Sequence, residues 1–382
     1  MSTSLRVGVV GVGGIARDQH LPAWARLPQA ELVAIADISA EALDEAGKHF
    51  AIPHRYRDWQ ELVDRDDIDV VDVCTPNRSH APVALAALLS GKHVLCEKPL
   101  GTSSAEVLAL QDAARSSGRV LMTAQSTRYK AVSRQLKALV DEGRLGDVYY
   151  ARAQYLRRRW VPPRATFIES RLSGGGPVMD IGVHVLDLAY WFMGCPEPVS
   201  VSALVDSKLA HREDLGGGWG EWNRDRFDVE DFAAGFIRFA NGAALTLETS
   251  WLGFQPEREL IRLQCFGTQG GLVWPDGTLI GETTKVPWSL RVDEPSRDDA
   301  YFDEIRDFAR AVQEGLPSPV PVEETLPVIR ILEAMYESAR TKAEVVLAQE
   351  KSPRVATRGL DEITCPIPAA DLAPSPLARP MP

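Results

Sequence analysis

The chain is poor in what a disulfide frame, a membrane span or a nucleic-acid surface requires. Its 382 residues hold five cysteines, Cys74, Cys96, Cys195, Cys265 and Cys365, odd in number and without CxxC spacing. That usage argues against a stapled fold and a cysteine zinc site, and reads as reduced cytoplasmic thiols; no metal is expected. Long apolar runs are missing too. Nothing reaches membrane-spanning length without charges, and the opening Met-Ser-Thr-Ser-Leu-Arg lacks a signal-peptide core. A basic excess is also lacking. With 42 Lys and Arg against 53 Asp and Glu, the net charge is −11, which argues against nucleic acid or an anionic membrane as partner and favours solubility. No internal repeat is evident. Hydrophobic content of 45% and charged content of 25% are ordinary, and the length suggests two domains with real cores.

The first third alternates between strand and helix patterns. Leu5 to Val10 is a β-rich apolar run that ends in Gly11-Val12-Gly13-Gly14-Ile15-Ala16, and helical periodicity follows toward Leu27. This is GxGxxG/A between a strand and a helix. Gly11 permits the tight turn, Gly13 lets the backbone approach a pyrophosphate, and Ala16 allows close helix–strand packing. A second strand, Glu31 to Ala36, ends at Asp37, 21 residues beyond Ala16. An acid there binds ribose hydroxyls and repels a 2′-phosphate, and neither Ile38 nor Ser39 offers that phosphate a cation, so NAD is expected over NADP. The competing reading is a merely structural glycine turn.

Further strands are expected at Asp69 to Cys74, His93 to Cys96 and Arg119 to Ala124, with helices at Pro82 to Leu89 and Ala105 to Ser116. Such alternation predicts a Rossmann-type, doubly wound parallel sheet over 1–125, with ligands at the carboxyl ends of its strands. Asn77, His80 and Lys98 all fall just past strand ends. A solvated lysine, and a capping or packing histidine, are the alternatives for the last two.

The second half changes character. A helical pattern runs from Lys130 to Glu142. Strand-like runs follow at Asp147 to Leu156, Val199 to Val205, Phe232 to Phe239, Ala243 to Trp251, Leu260 to Phe266 and Leu272 to Trp274. Asn241-Gly242 is a strong hairpin signal. An open, largely antiparallel sheet with helices on one face is expected over 126–350, with its other face in need of cover. Helices are expected at Tyr301 to Glu314 and from Glu323 to about Leu347, and 351–382 reads as a Pro/Ala-rich extended tail.

Between the first two of those strands lies Gly174-Gly175-Gly176-Pro177, a flexible glycine run with proline at the first helical position, leading an apolar helix to Gly194. Asp180 and His184, four apart, share one face of it. Such a pair can take a proton from a substrate hydroxyl, or it can be a satisfied buried pair. Two other stretches stand out. Arg157 to Arg164, with Arg158 and Trp160, can meet a substrate, a subunit or solvent. Asp206 to Asp228 carries Gly216-Gly217-Gly218-Trp219-Gly220-Glu221-Trp222, whose indoles can stack on a sugar or build an interface.

Taken together, the glycine motif, the Thr75-Pro76-Asn77…His80 loop, Glu97-Lys98-Pro99 and Asp180-x-x-x-His184 resemble the Gfo/Idh/MocA oxidoreductases, from Leu5 to about Gln349. The resemblance implies that Lys98 touches nicotinamide ribose and substrate, that His184 is the general acid/base and that Asp180 supports it. It implies NAD contacts from Gly11, Gly13, Gly14, Ile15, Asp37, Thr75, Pro76, Asn77, His80, Glu97, Lys98 and Arg128. Substrate contacts would come from Lys98, Tyr129, Asp180 and His184, with Arg158 and Trp160 as candidates from a stretch that departs from a minimal family member. It also implies subunit pairing, as a homodimer or homotetramer, over the bare sheet face. The expected activity is NAD-dependent oxidation or reduction at a secondary hydroxyl of a sugar, glycoside or cyclitol, with C3 of a glucoside preferred. An NAD-dependent glycoside-cleaving enzyme and a non-enzymatic NAD-sensing protein are the alternatives.

Overall fold

The computed structural model describes residues 4–292 and 299–347. The expected tail, 351–382, lies outside them. Two compact units emerge, Met1–Arg134 with Glu294–Ile329, and Gln135–Asp293 with Arg330–Pro382. The boundary expected at residue 125 therefore shifts, and a late segment returns to the first unit. The reason is apolar: helix Ala300–Glu314 buries Ile305, Phe308 and Ala309 in one core with Leu5, Val7, Trp24 and Leu95.

In the first unit six strands, β1 (Leu5–Val10), β2 (Ala30–Ala36), β3 (His54–Tyr56), β4 (Val70–Val73), β5 (His93–Glu97) and β6 (Leu121–Ala124), form a parallel sheet in the order 3-2-1-4-5-6. Strand order reverses between β1 and β4, the crevice where such sheets take their ligands. The short β3 was not anticipated, because His54-Arg55-Tyr56 shows no apolar run; backbone pairing to β2 alone makes it a strand. Helix Ser104–Ser117 begins with a complete capping box from Ser103 and Glu106, a local signal that fixes its start.

In the second unit β7 (Val148–Arg157), β8 (Pro198–Asp206), β9 (Phe232–Phe239), β10 (Ala244–Ser250), β11 (Glu259–Gly267), β12 (Gly270–Trp274), β13 (Thr278–Thr283), β14 (Val286–Arg291) and β15 (Val345–Val346) make one sheet, ordered 14-13-12-11-7-10-9-8-15. Every neighbouring pair is antiparallel except β7 with β10. Asn241-Gly242 makes the predicted hairpin: Gly242 takes φ +86°, and Asn241 Oδ1 accepts from the amide of Ala243 at 3.1 Å. Alternation sets the two faces. Ala151, Ala153, Ile237, Leu245, Leu247 and Leu263 are buried on the helix side, whereas Tyr150, Leu156, Phe236 and Phe266 on the other are half-buried. The last helix stops at Thr341, short of the expected Leu347, since Lys342 has a positive φ and β15 pairs with β8.

Candidate functional site

The cofactor side of the first unit begins at the glycine loop. Gly11 has φ +90°, and a side-chain carbon there would lie 2.6 Å from the carbonyl oxygen of Cys74, so only glycine fits. At Gly13 the same carbon would meet nothing within 4 Å, which leaves the loop backbone open to a large group. Asp37 braces this loop. Its Oδ2 accepts from the amide of Val12 at 2.8 Å and its Oδ1 from that of Ser39 at 2.8 Å. On the neighbouring loop, the buried Thr75 Oγ1 has no hydrogen-bond partner among the described residues, an orphan that a bound ligand would satisfy. These features fit a dinucleotide pyrophosphate and ribose. His80 is 1% exposed, with Nδ1 2.7 Å from the Pro99 carbonyl and Nε2 2.7 Å from that of Thr75. Burial pushes its pKa down. The structure thus uses His80 to brace the Thr75 and Pro99 loops, the packing alternative, and directs neither ring nitrogen outward.

Beneath Lys98 lies a buried network absent from the sequence expectations. His20 sits on a π-helical turn, Ala16–His20, directly after the glycine loop, a distortion common at functional positions. Its Nδ1 is 2.9 Å from Asp72 Oδ2 and its Nε2 2.9 Å from Glu97 Oε1. Trp24 Nε1 donates to Asp72 at 2.7 Å, and Glu97 Oε2 accepts the Lys98 amide at 3.0 Å. Burial opposes a proton on His20, but the adjoining Asp72 carboxylate outweighs it and the imidazole pKa stands well above its ordinary value. With a carboxylate oxygen at each ring nitrogen, that shift favours the imidazolium, which donates from both. Burial likewise opposes charge on Glu97, yet His20 holds its pKa down. Glu304, fully buried nearby, is pushed up by burial and then by Glu97, which favours its protonated form. His20, Asp72 and Cys74 bring metal-type ligand atoms within 4.8 Å of one another, but hydrogen bonds already link the three. The available signals were an acid inside a fully apolar strand, Asp72, and a histidine in the first helix.

Arg128 is 3% exposed and pairs with Glu324. Tyr129 is buried within the first unit's core beneath the Arg134 guanidinium, 4.4 Å from its ring centre. Substrate contact through Tyr129 is therefore corrected to packing; the resemblance marked the position but not its burial.

In the second unit the glycine run is tight rather than flexible. A side-chain carbon on Gly175 would lie 2.0 Å from Tyr336 Oη, and one on Gly176 would lie 2.3 Å from the Glu230 carbonyl. The Glu230 carboxylate, buried, accepts the amides of Gly176 and Val178 at 2.9 Å each and the Tyr336 hydroxyl at 3.0 Å. A carboxylate on free amides is what a helix start favours. The helix opens with a π turn, Val178–Gly182, and continues as α from Val183 to Phe192. Asp180 and His184 are half-buried while Met179, Ile181, Gly182, Val183 and Val185 between and around them are buried, so the two occupy its open side.

Asp180 Oδ2 accepts from Trp251 Nε1 at 3.1 Å and lies 3.9 Å from Arg157 Nη1. Arg157 shares the helix-facing parity of β7 with Ala151, Ala153 and Tyr155. Arg158 lies one residue beyond, exposed, and donates to the Pro256 carbonyl at 3.2 Å. The arginine beside the candidate site is therefore Arg157, not Arg158 as expected. Trp160 is half-buried, its ring 5.2 Å from that of Trp219.

No helix among the described residues is long and apolar enough to cross a membrane. Comparison with known proteins identifies the family of both domains. Residues 5–125 match the family model of the NAD-binding Rossmann-fold oxidoreductases, and residues 133–273 match the GFO/IDH/MocA C-terminal domain. D-glucoside 3-dehydrogenase of Escherichia coli is 31% identical over 347 residues, 91% of this chain and 98% of that one. Levoglucosan dehydrogenase of Pseudarthrobacter phenanthrenivorans is 31% identical over 290 residues, 71% of this chain and 73% of that one. A solved levoglucosan dehydrogenase in complex with NADH and levoglucosan superposes with a TM-score of 0.79 at 26% identity, covering 91% of this chain and all of that one. The chain belongs to the Gfo/Idh/MocA family of oxidoreductases, and its cofactor is NAD.

Proposed function

We propose that this enzyme transfers a hydride between NAD and a ring secondary hydroxyl of a glycoside, at C3 of a glucoside by preference. The observation that carries the reading is the half-buried pair Asp180 and His184 on one opened helix side, with the Asp180 carboxylate held by Trp251 and Arg157. The similarity to a glucoside 3-dehydrogenase and a levoglucosan dehydrogenase supports a sugar-derived substrate. NAD supplies the hydride acceptor. His184 takes the hydroxyl proton, Asp180 orients its imidazole, and Lys98 donates to the developing alkoxide, a charge present mainly in the transition state. A panel of sugars, glycosides and inositols followed by NADH absorbance tests this. Stoichiometric NADH with a glucoside supports it. Cleavage of the glycoside without net NADH would favour the transient-oxidation alternative.

The same assay with NADP checks cofactor choice. The role proposed for Asp37 sets its carboxylate against a 2′-phosphate, so NAD should be strongly preferred, and Asp37→Ala should narrow the gap while loosening the Val12 amide. Equal use of both cofactors by the unaltered enzyme would be incompatible with this role. We further propose that the half-buried sheet face bearing Tyr150, Leu156, Phe236 and Phe266 pairs subunits as a dimer or tetramer. Light scattering should then give a multiple of 41.9 kDa, and a monomer alone would contradict it.

A further inference from the structure

The inserted segment 206–228 is built as carefully as the site it adjoins. Trp222 is 4% exposed, donates from Nε1 to the Ala210 carbonyl at 2.8 Å, and packs in one cluster with Phe227, Trp251 and Ile181 of the catalytic helix. Arg224 lies over its ring at 4.6 Å. The Gly218 amide donates to the Arg159 carbonyl at 2.7 Å, and a side chain at Gly218 would come within 2.7 Å of the Trp160 ring. These anchors fix the next residue, Trp219. Its half-exposed indole lies 4.8 Å from the Arg157 guanidinium and 5.2 Å from the Trp160 ring.

Arg157 ties this wall to the site. Its guanidinium donates to Glu259 at 2.7 Å and to Tyr155 Oη at 3.1 Å, and stands 3.9 Å from Asp180. With two carboxylates on it, Arg157 has no charge left for a substrate anion. Arg258 stands 5.1 Å from the centre of the Trp160 ring as Arg157 does 4.8 Å from that of Trp219, so each indole is backed by a guanidinium, and both remain partly exposed.

We infer that Trp219 and Trp160 form a subsite for a neutral, flat aglycone, an aryl group or a second pyranose ring, next to the sugar ring that undergoes oxidation. The inference rests on the proposed glycoside reading. Trp219 and Asp180 both adjoin the Arg157 guanidinium, which puts the indole near enough to the proposed site to meet a second ring of the same substrate. A free monosaccharide or a methyl glycoside leaves the wall unused.

The test compares an aryl glucoside, a disaccharide, methyl glucoside and glucose in two measurements: kcat/KM by NADH formation, and direct calorimetric binding to the NAD-loaded enzyme. The unaltered enzyme should favour the aryl glucoside over methyl glucoside by about tenfold, the worth of one good stacking contact of ~1.4 kcal/mol. Trp219→Ala and Trp160→Ala should each shrink that ratio toward one, and Trp219→Phe should restore part of it. The disaccharide separates the two sources of a flat face: if it follows methyl glucoside, the subsite takes arenes. A ratio unmoved in both alanine variants overturns the inference, as does an unaltered enzyme without preference. Preferential aryl-glucoside binding that depends on Trp219 but yields no NADH upholds the subsite and sinks the proposed reaction instead.

Discussion

Replacing His184 by alanine is expected to lower hydride transfer by about 10²–10⁴-fold, the usual cost of losing a positioned acid/base. The chain should remain folded, because His184 stands half-exposed on the open side of its helix while Val183, Val185 and Leu186 carry the packing. Asp180→Asn should cost as much or less. It leaves an acceptor for Trp251 but removes the charge facing Arg157 and, with it, the support proposed for the imidazole. Lys98→Ala should depress both turnover and cofactor affinity, since the proposed role spans ribose and alkoxide. The three losses need not add, because the proposed mechanism uses the groups together. Single-turnover measurements with the glucoside identified by the panel decide the matter. Near-normal hydride transfer in His184→Ala would falsify the proton-transfer assignment and turn attention to a water held by Lys98.

The second large effect is expected at His20. Removing it strands Asp72 and Glu97 in a fully buried place, and breaking a buried ion pair costs about 3–5 kcal/mol. His20→Leu should therefore lower the Tm of the first unit by roughly 10 °C or more. The pH dependence follows from the direction of the shift. The folded state raises the His20 pKa, so its contribution is complete below the unfolded value of about 6.5 and is lost as pH rises through the higher folded value. The Tm gap between the unaltered protein and His20→Leu should thus be widest in mild acid and narrow toward alkaline pH. Denaturation followed by calorimetry across that range checks it, and a gap that widens with pH would show the imidazole to be neutral in the fold. Glu97 also receives the Lys98 amide, so the same variant should raise KM for NAD.

Much of the architecture could be read along the chain because it is written in local terms. The β1 run, the glycine turn at Gly11 and the helix start at Ser103 each depend on neighbours within a few residues. So does the Asn241-Gly242 hairpin. Strand–helix alternation then implies parallel order, because a crossover helix must cover the sheet. Glu97-Lys98-Pro99 and Asp180-x-x-x-His184 were legible for the same reason: spacing along a strand end or a helix fixes where a side chain emerges. The register of β7 was legible only in part. Its alternation was evident, but which of Arg157 and Arg158 turns toward Asp180 depended on where the strand pairs with β10 and β11.

What the tertiary structure alone decided joins residues distant in sequence. Periodicity and motif spacing by themselves pointed to the parallel sheet with its glycine loop, the antiparallel second sheet and NAD, while the roles proposed for Lys98, Asp180 and His184 came from the family resemblance of the motifs that carry them. Only folding brought His20 to Asp72 and Glu97, 52 and 77 residues away, and Glu230 to the amides of Gly176 and Val178. Only folding returned Phe308 to the first core, sank Tyr129 into it, and laid Trp219 over Arg157. A buried charge is tolerated where a partner arrives to meet it. No propensity along the chain encodes that arrival, because it is set by how whole elements pack.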